Sequence, residues 1–386
     1  MSTFITKLKK VKWRHYINYI LIGLFIIITS ILTLTNSLDL SAQFLFEKLA
    51  ISIMLAVSLG LVVGFLGELS LGHAGFMCIG AYLGGKVAVL FEQSLGNGLL
   101  TLIISVIVGG LCAALCGLLI GLPALRLKGD YLAIVTLAFG EIVRTIFINT
   151  SKTSFGGATG LETPRFNNKY LFIIAFVLVL LMLFIIQNLI RSKHGRAITA
   201  IRDSEIAARA TGINVTKYKL LVFALSAFFA GIAGVLFSYS NYRVQCTNFG
   251  YNYSIEILVM VVLGGMGNIT GSIISSSLIT ILQVELSSIL TGELSVLQNI
   301  IYALVLILIV IYNNAPGLKG VRERYNLKKL FNNLFKSRKD PSYQKEDEAA
   351  WDRVPTKINM NELLSMDVVD VNNKKSIEKP GGDSYE

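Results

Sequence analysis

Glu68 and His73 stand five residues apart in GELSLGHAGFMCIG, residues 67–80, among four glycines and with apolar sequence on both sides. A carboxylate and an imidazole can move protons or hold ions. In hydrocarbon both cost too much to face lipid, so each must meet a neighbouring side chain, a headgroup region or an aqueous path. The small residues Gly67, Ser70, Gly72 and Gly75 allow a helix to break or two backbones to approach closely. The stretch reads as a helix junction, unwound and either protected by protein or lining a cavity. Two roles stay open: a hydrated junction where Glu68 and His73 satisfy backbone groups, and a place on a translocation path.

A second polar set lies in LPALRLKGDYLAIVTLAFGEIVRTIF, residues 122–147. Pro123 closes one helix, and Asp130 is expected to cap the next by accepting from its free N–H groups. Glu141 and Arg144 are three apart on that helix and can pair on one face. Of the four cysteines, Cys112 and Cys116 share a helix face, and small apolar packing suits them better than metal binding. The glycines of FGGATGLE, residues 155–162, lack the phosphate-loop spacing and read as a flexible loop. Those of LGGMGNITGSIISSSLI, residues 263–279, suit close helix packing or a helix break. With no P-loop, H-E-x-x-H or nucleophile elbow, no catalytic residue, metal or cofactor is assigned. Any energy for work must come from elsewhere.

These groups have to be positioned by apolar helices. The chain has 386 residues, 53% hydrophobic and only 15% charged, against about 25% charged in soluble domains. The apolar residues collect into runs of the length that crosses a bilayer, about 20 residues each. They predict an all-α polytopic membrane protein with about ten spans, near 17–35, 49–66, 74–91, 99–122, 131–148, 169–190, 218–239, 254–268, 270–290 and 295–313. The net charge of +11 is concentrated beside alternate loops. With an inside N-terminus, residues 1–16, 191–217 and the flank after 313 carry most cations, while Lys48, Lys152, Arg165 and Arg243 are scattered outside. That bias favours an even number of spans and both termini in the cytoplasm. It also removes the need for a nucleic-acid partner, for which no aromatic-basic platform is present. The organisation expected is a cytoplasmic N-terminus (1–16), a transmembrane domain (17–318) with a cytoplasmic loop (191–217), and a polar, partly disordered cytoplasmic tail (319–386).

That loop, in RSKHGRAITAIRDSEIAARATGINVTKYKLLVF, residues 191–223, suits one or two short helices. Ile198, Ile201, Ile206, Ala207 and Ala210 are expected on one apolar stripe, ended by Gly212. A small helix with such a stripe needs a partner surface: another protein or the membrane interface.

Three stretches, in order, resemble the permease subunits of ABC importers for branched-chain amino acids, of the LivM type. They are GELSLGHAGFMCIGAY, LRLKGDYLAIVTLAFGEIVR and GRAITAIRDSEIAARATGINVTKYKLLVFALSAFFAGIAG. The resemblance covers most of residues 45–318. Glu68 stands where that family often has Gln, and the tail continues past the family's usual end near PGLKG. The resemblance implies a multi-pass protein of a prokaryotic cell membrane, embedded in lipid. Its implied partners are a second homologous permease, two ABC ATPase subunits and an extracytoplasmic substrate-binding protein. Glu205, Ala207, Ala208 and Gly212 match the E-x-A-A-x3-G core of the loop that couples to the ATPase, flanked by Gly195, Arg196, Arg202 and Asp203. Gly67, Glu68, Ser70, Gly72, His73, Asp130 and Glu141 are the junction or pathway candidates. Leucine, isoleucine and valine are the implied cargo; urea and short amides remain open. A different class, an ion-coupled secondary transporter, would route ions past Glu68, Glu141, Glu256 and Glu285 and would work without ATPase subunits.

Overall fold

The computed structural model describes residues 17–34, 39–96, 98–127, 129–164, 166, 170–289, 304 and 307. They belong to the first of two units, Met1–Asn314. The N-terminal 1–16, the tail 319–386 and, apart from 304 and 307, the expected last span lie outside the described residues.

Helices dominate. In order they are α1 (Ile17–Leu34), α2 (Leu40–Gly60), α3 (His73–Leu95), α4 (Leu99–Ala124), α5 (Asp130–Ile148), α6 (Lys152–Phe155) and α7 (Leu171–Arg191). Then follow α8 (Lys193–Asp203), α9 (Glu205–Ala210), α10 (Val215–Ser240), α11 (Tyr251–Gly264) and α12 (Ile269–Ile289). A π-helical turn, Leu61–Leu66, prolongs α2. Among the described residues, seven helices are long and apolar enough to cross a membrane: α2 with its π turn, α3, α4, α5, α7, α10 and α12. The apolar α1 packs on α7, where Tyr19 donates to the Leu183 carbonyl at 3.2 Å. With 14 residues, α11 is too short to cross alone. The chain is a helical membrane protein.

The second span begins nine residues earlier than the expected 49, at Leu40, because Asp39 accepts from Leu40 N–H at 2.8 Å and so caps the helix start. Lys48, expected in an outer loop, is therefore inside α2.

Small residues set the centre of the bundle. Around α2, 94% of the most apolar window is buried, against 28% for α5. At the crossing of α3 and α10, a Cβ on Gly80 would lie 2.1 Å from the Gly231 carbonyl oxygen, and one on Gly234 would lie 2.0 Å from that of Met77. Only glycine permits this backbone contact, which replaces the missing hydrophobic drive between helices in lipid with van der Waals packing. The periphery is the reverse. Along α4, Ile103, Ile107, Leu111, Leu115, Leu119 and Leu122 are exposed, about one per turn, a stripe that in water would be an aggregation site and in hydrocarbon is solvent-matched.

Chain reversals alternate between two ends. At one end lie the 67–72 junction, the α8–α9 pair and the turn between α11 and α12. At the other, β1 (Leu161–Glu162) pairs antiparallel with β2 (Arg243–Val244), with an ion pair between Glu162 and Arg243. FGGATGLE at this end is a built turn rather than the flexible loop expected. A Cβ on Gly156 (φ +79°) would lie 1.9 Å from the Gly160 carbonyl oxygen, and Thr163 Oγ1 donates to the Ser238 and Asn241 carbonyls at 2.6 and 3.0 Å. The segment expected as one span over 254–268 ends at Gly264, because Gly265 and Gly267 take positive φ and turn the chain.

Candidate coupling site and helix junction

Residues 67–72 are non-helical, as their glycines suggest. Backbone of this kind survives at membrane depth only if its polar groups find protein partners. Gly67 and Glu68 N–H both donate to the Val62 carbonyl, at 3.0 and 3.3 Å. Leu71 N–H donates to Thr136 Oγ1 of α5 at 3.0 Å. Ala74 N–H, in the first turn of α3, donates to Ser254 Oγ of α11 at 3.1 Å. Neighbouring helices thus supply the caps that Gly72 cannot. Ser70 is buried, and its Oγ has no partner among the described residues.

Glu68 and His73 part company. His73 is 1% exposed and its Nε2 lies 2.8 Å from Ser58 Oγ. With the Ser58 proton on the Leu55 carbonyl at 3.0 Å, Nε2 is the donor. Ser226 Oγ donates to the Ser58 carbonyl at 2.6 Å, tying α10 to the same point. His73 is therefore a buried link between α2 and α3, not a hydrated group. Glu68 turns the other way and forms an ion pair with Lys219 of α10. Lys219 Nζ also reaches Glu205 Oε2 at 3.3 Å, and Glu205 accepts from Arg209 at 2.6 Å. Side chains of Lys219, Glu68 and Glu205 are only 4%, 13% and 18% exposed. Among the described residues, Glu68 and His73 meet side chains rather than the backbone groups that the hydrated-junction role would need.

Lys219 drew no attention in the sequence because it sits at the polar start of a span, beside Lys217. Both of its carboxylate partners precede it in the sequence, one in the junction and one opening α9.

The loop 192–214 folds as two helices. Ser192 caps α8 by accepting from His194 and Gly195 N–H at 3.1 and 3.3 Å, and Ser204 breaks α8 from α9 and caps the latter through Ala207 N–H at 3.3 Å. A Cβ on Gly195 would lie 2.0 Å from the Ile190 carbonyl oxygen, so glycine lets α8 fold back tightly on the end of α7. The single stripe expected from the sequence is split by that break. Ile198 and Ile201 are 1% and 4% exposed, buried against the bundle. Ile206 is 79% exposed on the far side, alongside Ala207 and Ala210, while Ala208 faces in.

Arg202 fastens α8 to the junction. Its Nη1 donates to the Gly64 carbonyl at 3.1 Å and its other nitrogens to Asp203 at 3.1 Å. Its aliphatic stem covers Gly67, where a Cβ would lie 2.7 Å from Arg202 Cγ. Gly64 in turn abuts Gly267 of the α11–α12 turn, with a Cβ only 2.2 Å from its nitrogen. The two glycine-rich stretches singled out in the sequence therefore meet, with Arg202 beside both. Arg196 is exposed.

Gly212 ends α9 at φ +83°, with Ile213 N–H on the Ala208 carbonyl and Gly212 N–H on that of Arg209, each at 3.0 Å. This is a Schellman stop, and a Cβ there would meet nothing within 4 Å. Gly212→Ala is therefore expected to cost only the positive-φ strain, about 1 kcal/mol, and Gly212→Asn less. Equal thermal stability of the two variants would mean that φ is not what selects glycine here.

Asp130 and Glu141 lie apart from this cluster. Asp130 is exposed in the first turn of α5 but does not cap it. Gly129, at φ +59°, holds the cap position without a side chain, which leaves Asp130 one residue too far in. Its charge still complements the helix N-terminus. Glu141 pairs with Arg144 at 2.8 Å and its other oxygen accepts from Tyr251 N–H, the start of α11, at 2.9 Å.

Comparison with known proteins bears on this arrangement. The family described as "Branched-chain amino acid transport system / permease component" matches residues 41–310. The high-affinity branched-chain amino acid transport system permease protein LivM of Salmonella typhimurium is 37% identical over 65% of this chain and 66% of its own length. The chain thus spans just under two thirds of that relative, and the same holds for LivM of Escherichia coli. The ribose import permease protein RbsC of Escherichia coli is 27% identical over 76% of this chain and 92% of its length. The chain belongs to the family of branched-chain amino acid transport system permease components.

Proposed function

We propose that the chain is the membrane-spanning permease subunit of an ABC importer for branched-chain amino acids, in the cell membrane of a prokaryote. It works beside a second homologous permease, two ATPase subunits that supply the energy, and an extracytoplasmic binding protein. The observation that carries this reading is the α8–α9 pair. One side is pinned into the bundle by Ile198, Ile201 and Arg202, and the other offers Ile206, Ala207 and Ala210 outward. Small residues around one exposed isoleucine suit insertion into a cleft on a partner protein, with Arg196, Arg209 and Asp203 setting register at the rim. Movement of α9 reaches the junction through Glu205, Lys219 and Glu68, and α8 reaches it through Arg202. On this reading α1, the short α11 and residues 295–313 add to the seven to complete about ten spans, with both termini and the α8–α9 end in the cytoplasm.

Purification of the full chain in mild detergent is expected to bring down two kinds of ATPase-bearing subunit or a pair of one kind, and a second permease. Reconstituted, the assembly should take up leucine, isoleucine or valine only with ATP, and urea poorly. A chain that purifies alone and transports without ATP would overturn the reading. Ile206→Glu is expected to abolish ATPase copurification while leaving the melting temperature of the permease unchanged, since the side chain touches solvent on this chain alone. Retained copurification would place the docking surface elsewhere.

A further inference from the structure

Near the end of the bundle that carries the β1–β2 pair, a cavity of about 370 Å³ lies between α2, α3, α10, α11 and α12. Among the described residues its wall carries one cation, Lys48, and one carboxylate, Glu256, beside apolar surface from Ile51, Met77, Phe237 and Phe249. Both charged groups line the same cavity, yet among the described residues no carboxylate lies within ion-pairing distance of Lys48. The ammonium is held instead over the Phe44 ring, 4.7 Å from its centroid, a contact that leaves its N–H donors unused. Glu256 is positioned from the side by Gln283, whose Nε2 donates to it at 2.5 Å. Thr280 also lines the cavity. It is 3% exposed, and its Oγ1 has no hydrogen-bond partner among the described residues. A buried hydroxyl left unpaired is costly, so its place on this wall points to a polar ligand. A second cavity of about 400 Å³ shares Lys48 and Gln283 and continues one turn further along α2 and α12, to Phe44, Ser287 and Ser288.

A cation and an anion that face one space without closing on each other are complementary to a ligand bearing both charges. We propose that this cavity is an amino-acid binding site within the membrane domain. Lys48 takes the carboxylate, Glu256 takes the ammonium, Thr280 adds a hydrogen bond, and the apolar wall receives an aliphatic side chain. The proposal rests on the reading of the chain as an amino-acid importer permease and deepens it by giving the permease a substrate contact of its own.

The test measures binding of tritiated leucine to the purified full-length chain, and to the assembly that copurifies with it, in the absence of any binding protein. Saturable binding is expected, displaced by unlabelled leucine but not by equal 4-methylvalerate, which lacks the ammonium, or isoamylamine, which lacks the carboxylate. Lys48→Met and Glu256→Gln should each weaken it about 10- to 100-fold, the effect of losing a hydrogen bond to a charged group. Thr280→Val is nearly isosteric and removes an unpaired hydroxyl, so it should weaken binding without lowering the melting temperature. Absence of saturable binding by wild type, or wild-type affinity in all three folded variants, would overturn the site. Failure of ATPase subunits to copurify would instead count against the importer reading, because leucine binding reports on the cavity alone.

Discussion

Lys219→Met is expected to destabilise the permease by about 3 kcal/mol and to abolish uptake. The figure is the low end of the range for breaking a buried ion pair by removing one partner. Two features place it there. Glu205 keeps Arg209 at 2.6 Å when Lys219 is lost, and Glu68 retains 13% exposure, so water recovers part of its charge. Glu68 has no such second cation among the described residues. Glu68→Gln should be mild, under about 1 kcal/mol, because an amide oxygen still accepts from Lys219 and Glu205 still balances it. The double variant Lys219→Met, Glu68→Gln should recover more than half of the loss, since it removes the stranded charge together with its partner. Thermal unfolding of the four proteins in detergent gives the coupling energy directly. A coupling below about 0.5 kcal/mol would make the pair a surface salt bridge in energetic terms, and the connection from α9 to the junction would then need another carrier.

Gly234→Leu should be worse, costing about 3 kcal/mol or more and leaving little folded protein. The neighbouring atom is the Met77 carbonyl oxygen, 2.0 Å from where the new Cβ must stand, with Ala81 nitrogen at 2.8 Å. A flexible side chain could swing away, but these are backbone atoms of α3 inside its own hydrogen-bond ladder. Relief requires the whole crossing of α3 and α10 to open, against Gly80 and Gly231 in the same contact. Gly23→Leu is the matched control, because a Cβ there meets nothing within 4 Å. Fluorescence-detected size exclusion and melting of the two variants should separate them clearly. Similar profiles would mean that the crossing is looser than these distances require.

Much of this protein could be read in one dimension. Apolar runs specify transmembrane helices because a backbone in lipid has no partner but itself, and helix length follows from bilayer thickness. Glycine at 67 and 212 marked helix ends because positive φ excludes most other residues, whereas 265 and 267 lay inside an expected span that they in fact end. The pairing of Glu141 with Arg144 followed from helix periodicity. Resemblance added the family, and with it the coupling role proposed for the loop from Gly195 to Gly212.

What the chain could not disclose is which distant groups share a point in space. Periodicity runs along one helix and says nothing of the neighbour it meets. Ser204 breaks α8 and caps α9 through Ala207 N–H, and that turn puts Ile206 on the opposite face from Ile198 and Ile201. His73 and Glu68, close in sequence, were drawn apart by Ser58 and Lys219. Lys48, one residue short of an expected span, proved to lie within α2 and to face Glu256 across a cavity. Apart from the local break at Ser204, the deciding interaction is an electrostatic or hydrogen-bond contact between residues on different helices. Its energy depends on distance in the folded state, and that distance exists only once the helices have packed.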